Sequence, residues 1–266
     1  MDITSIAGLV LAFVLVAVVM VIDGGSPMEL FAAPQAILLT MGGAIVAAVI
    51  SMPMKDVIAI PKYFMKAFMG EKIEPQHSID MLTRMADKAR REGLLSLEDE
   101  SKKLSDEFLK RGLMLVVDGV DPAQVRAILD IEIHHMKERH ETSGIAFFTA
   151  AGGYGPTMGI IGTVMGLITV LKELSNPAVL GEKIAVAFLA TLWGILSANV
   201  IWLPLAGKLR VKSEEETLYR MMLMEGILAI QSGENPRIVR EKLSAFLSPK
   251  ERPTEAGGQT AQKAKA

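Results

Sequence analysis

Four stretches of this 266-residue chain contain no Lys, Arg, Asp or Glu: Ile3 to Ile22, Leu30 to Met54, Gly144 to Leu171 and Ile184 to Gly207. About 20 apolar residues in an α-helix span the ~30 Å hydrocarbon core of a bilayer, so each stretch is long enough to cross one. No stretch shows the period of two that marks a strand, and no repeat of fixed period is found. The chain therefore reads as an all-α integral membrane protein with four transmembrane helices over 3–22, 30–54, 144–171 and 184–207. Between and after them lie a helical cytoplasmic loop over 55–143, a helical C-terminal tail over 208–250, and a Gly, Gln and Lys-containing end over 251–266 whose composition suits disorder.

Composition narrows the functional classes. Half of the residues are apolar, and the formal net charge of -2 averages over separate compartments. Neither polar part is strongly basic, so nucleic-acid binding is excluded. The absence of cysteine removes a disulfide scaffold, thiolate metal sites and a cysteine nucleophile, and leaves the redox compartment open. A cleaved signal peptide needs a positive leading region and a short apolar core, whereas this N-terminus offers Asp2 and then a full-length apolar run. The first helix is expected to be retained.

Orientation follows from the flanks of the spans. All the Lys and Arg residues except Lys172 and Lys183 fall in the long loop and the tail. Lys55, Lys62 and Lys66 follow the second span, Lys137 and Arg139 precede the third, and Lys208, Arg210 and Lys212 follow the fourth. Positive charge close to a span end marks the cytoplasmic side. Both termini are then cytoplasmic, and Asp23 to Glu29 and Lys172 to Lys183 are the only outer loops.

Within the loop, PKYFMKAFMG (Pro61 to Gly70) sets Tyr63, Phe64, Ala67 and Phe68 beside Lys62 and Lys66, which suits either the headgroup layer or a small helical core. Ile79, Leu82, Met85 and Ala89, with Met81, give a helical period up to Arg91. The pattern restarts after Gly93 at Leu94, Leu95, Leu97 and Leu104 and runs on through Phe108 and Leu109. Asp121-Pro122 opens a helix to about Glu141. The tail reads as a helix from about Ser213 to Gln231, a break at Ser232-Gly233, and a helix from Asn235-Pro236 to near Ser248-Pro249.

The spans themselves hold no carboxylate, Lys, Arg or His, although a protein that moves ions ordinarily needs an ionisable group within the membrane. They hold small residues instead. The third carries Gly155, Gly159, Gly162 and Gly166 at spacings of four, three and four; the fourth carries Ala187, Thr191, Gly194 and Ala198 at the same spacings. Such stripes permit close backbone approach, either to each other or to another chain. Pro156 and Pro204 free the carbonyls of Gly152 and Val200, which then need water, a cation or a bend to accommodate them. Thr149, Pro156 and Thr163 recur every seven residues on the third span, and Thr191 sits midway along the fourth. Their hydroxyls either ligate a partly dehydrated cation or bond back to their own helix. Ser197 and Asn199 have no membrane base to activate them, so no catalytic residue is assigned and an enzyme is not expected. His134, His135, Glu138 and His140 do not fall on one helix face, and no metal site is assigned to them.

At these residues the sequence resembles the MotA family, the channel-forming stator subunits of the bacterial flagellar motor, within the broader group that includes TolQ and ExbB. The resemblance rests on AAPQAILLTMGGAIVAAVIS in the second span, RREGLLSLE in the loop and GYGPTMGIIGTVMGL in the third span. It extends through FLATLWGILSANVIWLPLAGKL in the fourth span and EGILAIQSGENPRIVREKLSAFL in the tail. The order of two spans, long loop, two spans and tail agrees with it. It implies residence in the bacterial inner membrane and a homopentamer around two MotB-type single-span, peptidoglycan-binding subunits, whose membrane aspartate carries the transported proton or sodium ion. No cofactor is implied. By position, Pro156, Pro204 and Thr191 match residues near the ion site and its coupling to movement, and Arg90 and Glu98 match a charged pair that meets the rotor protein FliG. Thr163 is similar to the residue of sodium-driven relatives, whereas Ala190 departs from the second Thr that some of them carry. The alternative within the group is an ExbB- or TolQ-like energiser of another envelope process; those relatives generally have three spans.

Overall fold

The computed structural model describes residues 3–69, 73–175 and 177–252, and every regular element among them is helical. The longer ones in chain order are α1 (Ile3–Ile22), α2 (Pro34–Ile50), α3 (Met54–Phe68), α4 (Pro75–Glu92), α5 (Glu107–Val117), α6 (Pro122–His140), α7 (Ala146–Lys172), α8 (Pro177–Ser197), α9 (Leu203–Gln231) and α10 (Pro236–Ser244). Two compact units are formed: Met1–Glu71 with Glu138–Lys212, and Lys72–Lys137 with Ser213–Ala266.

Among the described residues, three helical runs are long and apolar enough to cross a membrane: Thr4–Ile22, Pro122–Lys172 and Val179–Gln231. The second charge-free window differs from expectation in length, because α2 is a shorter apolar helix bounded by proline at both ends. Pro34 occupies its first turn and Pro53 follows its last, where neither ring obstructs an intrahelical bond. Ahead of α2, Ser26 and Glu29 form a reciprocal capping box on the short Pro27–Phe31 turn. Trp193 Nε1 then donates to the Leu30 carbonyl at 2.7 Å, tying that turn to α8.

The expected breaks where membrane meets cytoplasm are absent. The run from Pro122 continues through a π-helical turn at Glu141–Ile145 into α7, and α8 continues through a second π turn at Ala198–Trp202 into α9. Charge changes at these places without ending the helix; past the second, Pro204 removes one backbone donor, and the π turn absorbs the disturbance as one extra residue. In the first unit, Phe147, Phe148, Trp202, Leu205 and Leu209 form the core with Ala48 and Ala67. The Phe148 and Trp202 rings stack at 6.4 Å.

The second unit is an ordinary globular helical core. Ile79, Leu82, Met85 and Ala89 are buried as their period requires, and Leu109, Leu113, Leu129, Leu223, Ile227, Val239 and Leu243 complete the cluster. Asp106, Asp121 and Asn235 cap α5, α6 and α10, each accepting a backbone N–H at 2.9 Å. Gly93, at φ +85, ends α4 in a conformation that a side chain strains, so the loop is not helical throughout. The last helix stops at Ser244, short of the expected Ser248-Pro249; single-turn bonds such as Leu247 N–H to the Ser244 carbonyl follow it. Gly70 and residues 253–266, which include most of the segment read as disordered, lie outside the described residues.

Leu113 is fully buried in this core. Leu113→Ala is expected to destabilise the chain by about 2–5 kcal/mol, the usual effect of a core leucine truncation, measurable by denaturant unfolding in detergent.

Candidate functional site

Glycine decides how α7 and α8 meet. A Cβ on Gly155 would lie 2.9 Å from the Gly194 carbonyl oxygen, and one on Gly159 would lie 3.0 Å from both the Ala190 oxygen and the Thr191 Cα. On Gly162 and Gly166 it would fall 2.7 Å and 2.6 Å from the methyl groups of Ala190 and Ala187. The two small-residue stripes therefore pack on each other within the chain, in opposite directions. Since lipid offers no hydrophobic drive for helix association, this backbone proximity supplies the van der Waals contact that holds the pair. Leu39 of α2 reaches the same surface at Gly162, and Met158 packs over Gly43.

That register carries the two threonines together. The hydroxyls of Thr163 and Thr191 are in direct hydrogen-bond contact. Thr163 Oγ1 also lies 3.1 Å from the Gly159 carbonyl and 3.0 Å from the Ala187 carbonyl, and Thr191 Oγ1 lies 3.4 Å from the Gly159 carbonyl. Both sequence alternatives meet here: Thr163 bonds back to its own helix and also reaches the neighbour. Each hydroxyl has a single proton, so two hydroxyls and two carbonyls leave lone pairs to spare. Chemically the group is a neutral oxygen cluster in a segment with no Asp, Glu, Lys, Arg or His. It suits a partly dehydrated cation or a carboxyl group brought by another chain.

Pro156 is half-buried on α7, two turns before Thr163, and leaves the Gly152 carbonyl without its intrahelical donor. Thr149, a further two turns back, is exposed. Pro204 stands apart from the threonines. It lines a cleft of about 360 Å³ with Thr4, Ser5, Asn199, Val200 and Lys208, and it directly follows the π turn at Ala198–Trp202. In that widened turn the Leu203 N–H reaches back to the Ala198 carbonyl, which makes room for the proline ring. Ser197 and Asn199 bond back to the Gly194 and Ile195 carbonyls at 3.2 Å and 2.9 Å. Sequence reasoning missed the Trp193 indole bond to Leu30 and the π turns, which no residue pattern announces.

Arg90 and Glu98 do not form a pair. Arg90 is exposed on the last turn of α4, and Glu98 follows the Leu94–Leu97 turn, where it meets Lys102 at 2.7 Å. The Lys102 ammonium, by hydrogen bond and charge, holds the Glu98 carboxyl below the usual carboxylate range. Around them Lys88 pairs with Glu100 at 2.7 Å and Arg91 with Asp87 at 3.0 Å, while Leu95 is strongly exposed. The family resemblance takes the two charges together as a rotor-facing pair; the turn after Gly93 gives each its own surroundings. Among the described residues, no group of three or more His, Asp or Glu gathers as a metal site would require.

Residues 6–93 match the motility protein A N-terminal family, and residues 100–222 match the MotA/TolQ/ExbB proton channel family. Motility protein A of Bacillus subtilis is 41% identical over 253 residues, covering 95% of this chain and 93% of that protein. The chain belongs to the MotA family. The chemotaxis protein PomA of Vibrio alginolyticus is 38% identical over 93% of this chain and 96% of its own length. Among solved structures, the C. jejuni MotAB chain superposes with a TM-score of 0.90 at 32% identity, covering 96% of this chain and all of that one. The MotAB stator complex of Bacillus subtilis gives 0.87 at 40% identity, covering 94% and 98%. This MotA-family chain is thus an ion-channel subunit of a flagellar stator and not an enzyme.

Two outcomes are expected from this geometry. Gly159→Val forces α7 and α8 apart and separates the hydroxyls, so ion flux through the assembled stator is lost and the thermal midpoint in detergent falls. Glu98 has the depressed pKa, so the stabilisation from its pair with Lys102 is present above the ordinary carboxylate pKa and is lost as pH falls through the lowered value. In Lys102→Ala the Glu98 carboxyl returns toward the usual range, as followed by carbon-detected NMR titration.

Proposed function

We propose that five copies of this chain encircle two MotB-type subunits in the bacterial inner membrane, each copy spanning it four times with both termini in the cytoplasm. The single observation that carries the reading is the Thr163–Thr191 hydroxyl pair in a membrane segment devoid of Asp, Glu, Lys, Arg and His. A protein that couples ion passage to movement ordinarily uses an ionisable group within the membrane, and this chain offers only neutral oxygens there. The solved relatives are MotAB complexes, which supports a MotB-type partner, and in this reading that partner supplies the carboxylate.

In this reading the ion, a proton or sodium, neutralises the partner's aspartate beside Thr163 and Thr191. Loss of that charge changes which face of the ring the carboxylate prefers. Five similar faces around two carboxylates cannot all be satisfied at once, so successive ions step the ring around its axis. Pro156 and Pro204 interrupt helical bonding near the ion path and convert occupancy into movement. Arg90 and Glu98 pass that movement to the rotor protein FliG. One charge crossing 100 mV yields about 2.3 kcal/mol, which is sufficient to bias a step.

Thr163 supports sodium as the ion. Ala190, which departs from the sodium-type pattern, has a packing reason: it is buried with Ala33 and Ala36, and its methyl group abuts Gly162. A Thr at 190 would meet α7 rather than reach the threonine pair. The match over 6–93 to the motility-specific N-terminal family favours the flagellar role over an envelope energiser.

The test is complementation of a stator-deleted bacterium by this chain and its partner. Swimming is expected to stop when sodium is replaced by potassium at constant pH; unchanged speed with sensitivity to a protonophore would make the ion a proton. Pro156→Ala is expected to abolish torque with normal membrane assembly, and unchanged torque and flux would refute its coupling role. Charge reversal at both Arg90 and Glu98 is expected to impair rotation while leaving ion flux measurable.

A further inference from the structure

The amphipathic segment singled out in the sequence has two distinct faces once built. Along α3, Ile60, Tyr63 and Ala67 turn into the first unit's core, where the Tyr63 ring covers Gly144 and the Phe64 ring stands 6.4 Å from Phe148. The C-terminal end of the helix is held by Lys212, whose ammonium donates to the Lys66 and Met69 carbonyls. The helix is thus fixed along one side and at one end.

Its opposite side is apolar and uncovered. Met54, Ile58, Pro61 and Met65 recur at spacings of four, three and four, which places them in one stripe. Met54, Ile58 and Met65 are 72%, 74% and 59% exposed. Lys55 and Lys62, both exposed, run along one edge of that stripe. A helix facing water on that side would carry polar residues there. Only Ser51, Met52 and Pro53 separate α3 from the end of α2, so an extended link of ~10–13 Å at most keeps its start close to the end of an apolar membrane helix. The surroundings available to the stripe at that depth are the acyl chains and headgroups of the bilayer.

We propose that α3 is an interfacial lipid-binding helix. Its Met54, Ile58 and Met65 stripe enters the boundary of the acyl region, and Lys55 and Lys62 select the phosphates of anionic phospholipids. The core contacts of Tyr63 and Ala67 and the Lys212 clamp then transmit the depth of the headgroup layer to the body of the unit. The inference rests on the membrane placement of α2 and not on the identity of the transported ion or rotor.

The chain has no cysteine, so single substitutions give unique labelling sites. Ile58→Cys, Lys62→Cys and Val46→Cys are spin-labelled in the assembled complex and reconstituted in phosphatidylcholine vesicles with or without phosphatidylglycerol. Accessibility to oxygen and to a water-soluble nickel chelate is compared. Oxygen is expected to dominate at 58 and nickel at 62. In native mass spectrometry, Lys55→Gln and Lys62→Gln are each expected to weaken retention of phosphatidylglycerol over phosphatidylcholine about fivefold. A label at 58 that reports water would overturn the proposal, as would one shielded from both agents, which would mean that a second protein copy covers the stripe. Unchanged lipid preference in both lysine variants would overturn the headgroup assignment. Val46 lies on the exposed side of α2. Oxygen dominance at 46 with water at 58 refutes the interfacial helix alone, whereas water at both positions refutes the membrane placement beneath it.

Discussion

The contact between α7 and α8 is closer than any side chain beyond hydrogen allows at Gly155, Gly159 and Gly194, and the site depends on it. In lipid the helices gain nothing from hiding apolar surface, so their association relies on backbone proximity and on the few polar groups they share. The same proximity fixes the register that joins Thr163 to Thr191 and turns the Ala190 methyl into the α2 side of the bundle. Packing and chemistry are not separable here. A methyl group added to the stripe is at once a fold defect and a site defect.

The second constraint is electrostatic. A charged group in the hydrocarbon region is costly, and this chain carries no Asp, Glu, Lys, Arg or His in its apolar windows. It builds a neutral enclosure of hydroxyls and carbonyls, with prolines that leave two further carbonyls short of a donor. Such an enclosure binds a proton or a metal ion weakly by itself, because neither hydroxyls nor carbonyls hold a charge. The MotA-family assignment fits this absence, and in the proposed reading the acidic group sits on a MotB-type polypeptide and movement follows from its changing relation to several identical neutral faces.

Much of this was legible in the sequence because composition alone identifies a membrane helix. The charge-free windows fell on α1 and α7, the fourth window missed the start of α8 at Pro177, inside the stretch read as an outer loop, and the period of Ile79, Leu82, Met85 and Ala89 located the buried side of α4. The limits of the helices were less legible. A change from apolar to charged residues at Gly144 or Lys208 looks like a boundary, yet the backbone passes through it because hydrogen bonding is indifferent to polarity. Pro34 and Pro53 bound the short α2, and a length count over the charge-free window takes no account of them. The four-three-four stripes on α7 and α8 were visible as surfaces that pack, whereas their mutual pairing depends on a helix hairpin register that no local pattern encodes. Thr163 and Thr191 stood 28 positions apart with nothing to say that they touch. Arg90 and Glu98 show the converse: neighbours in sequence that a positive-φ glycine and a short turn lead into different ion-pair surroundings.

The claim that this chain encloses an ion path without owning its charge is tested most directly by flux into liposomes. The purified chain alone and the chain co-purified with its single-span partner are compared under a membrane potential. The account predicts no selective proton or sodium uptake from the chain alone, uptake with the partner, and its loss when the partner's membrane carboxylate is made an amide. Selective conduction by the isolated chain would contradict it.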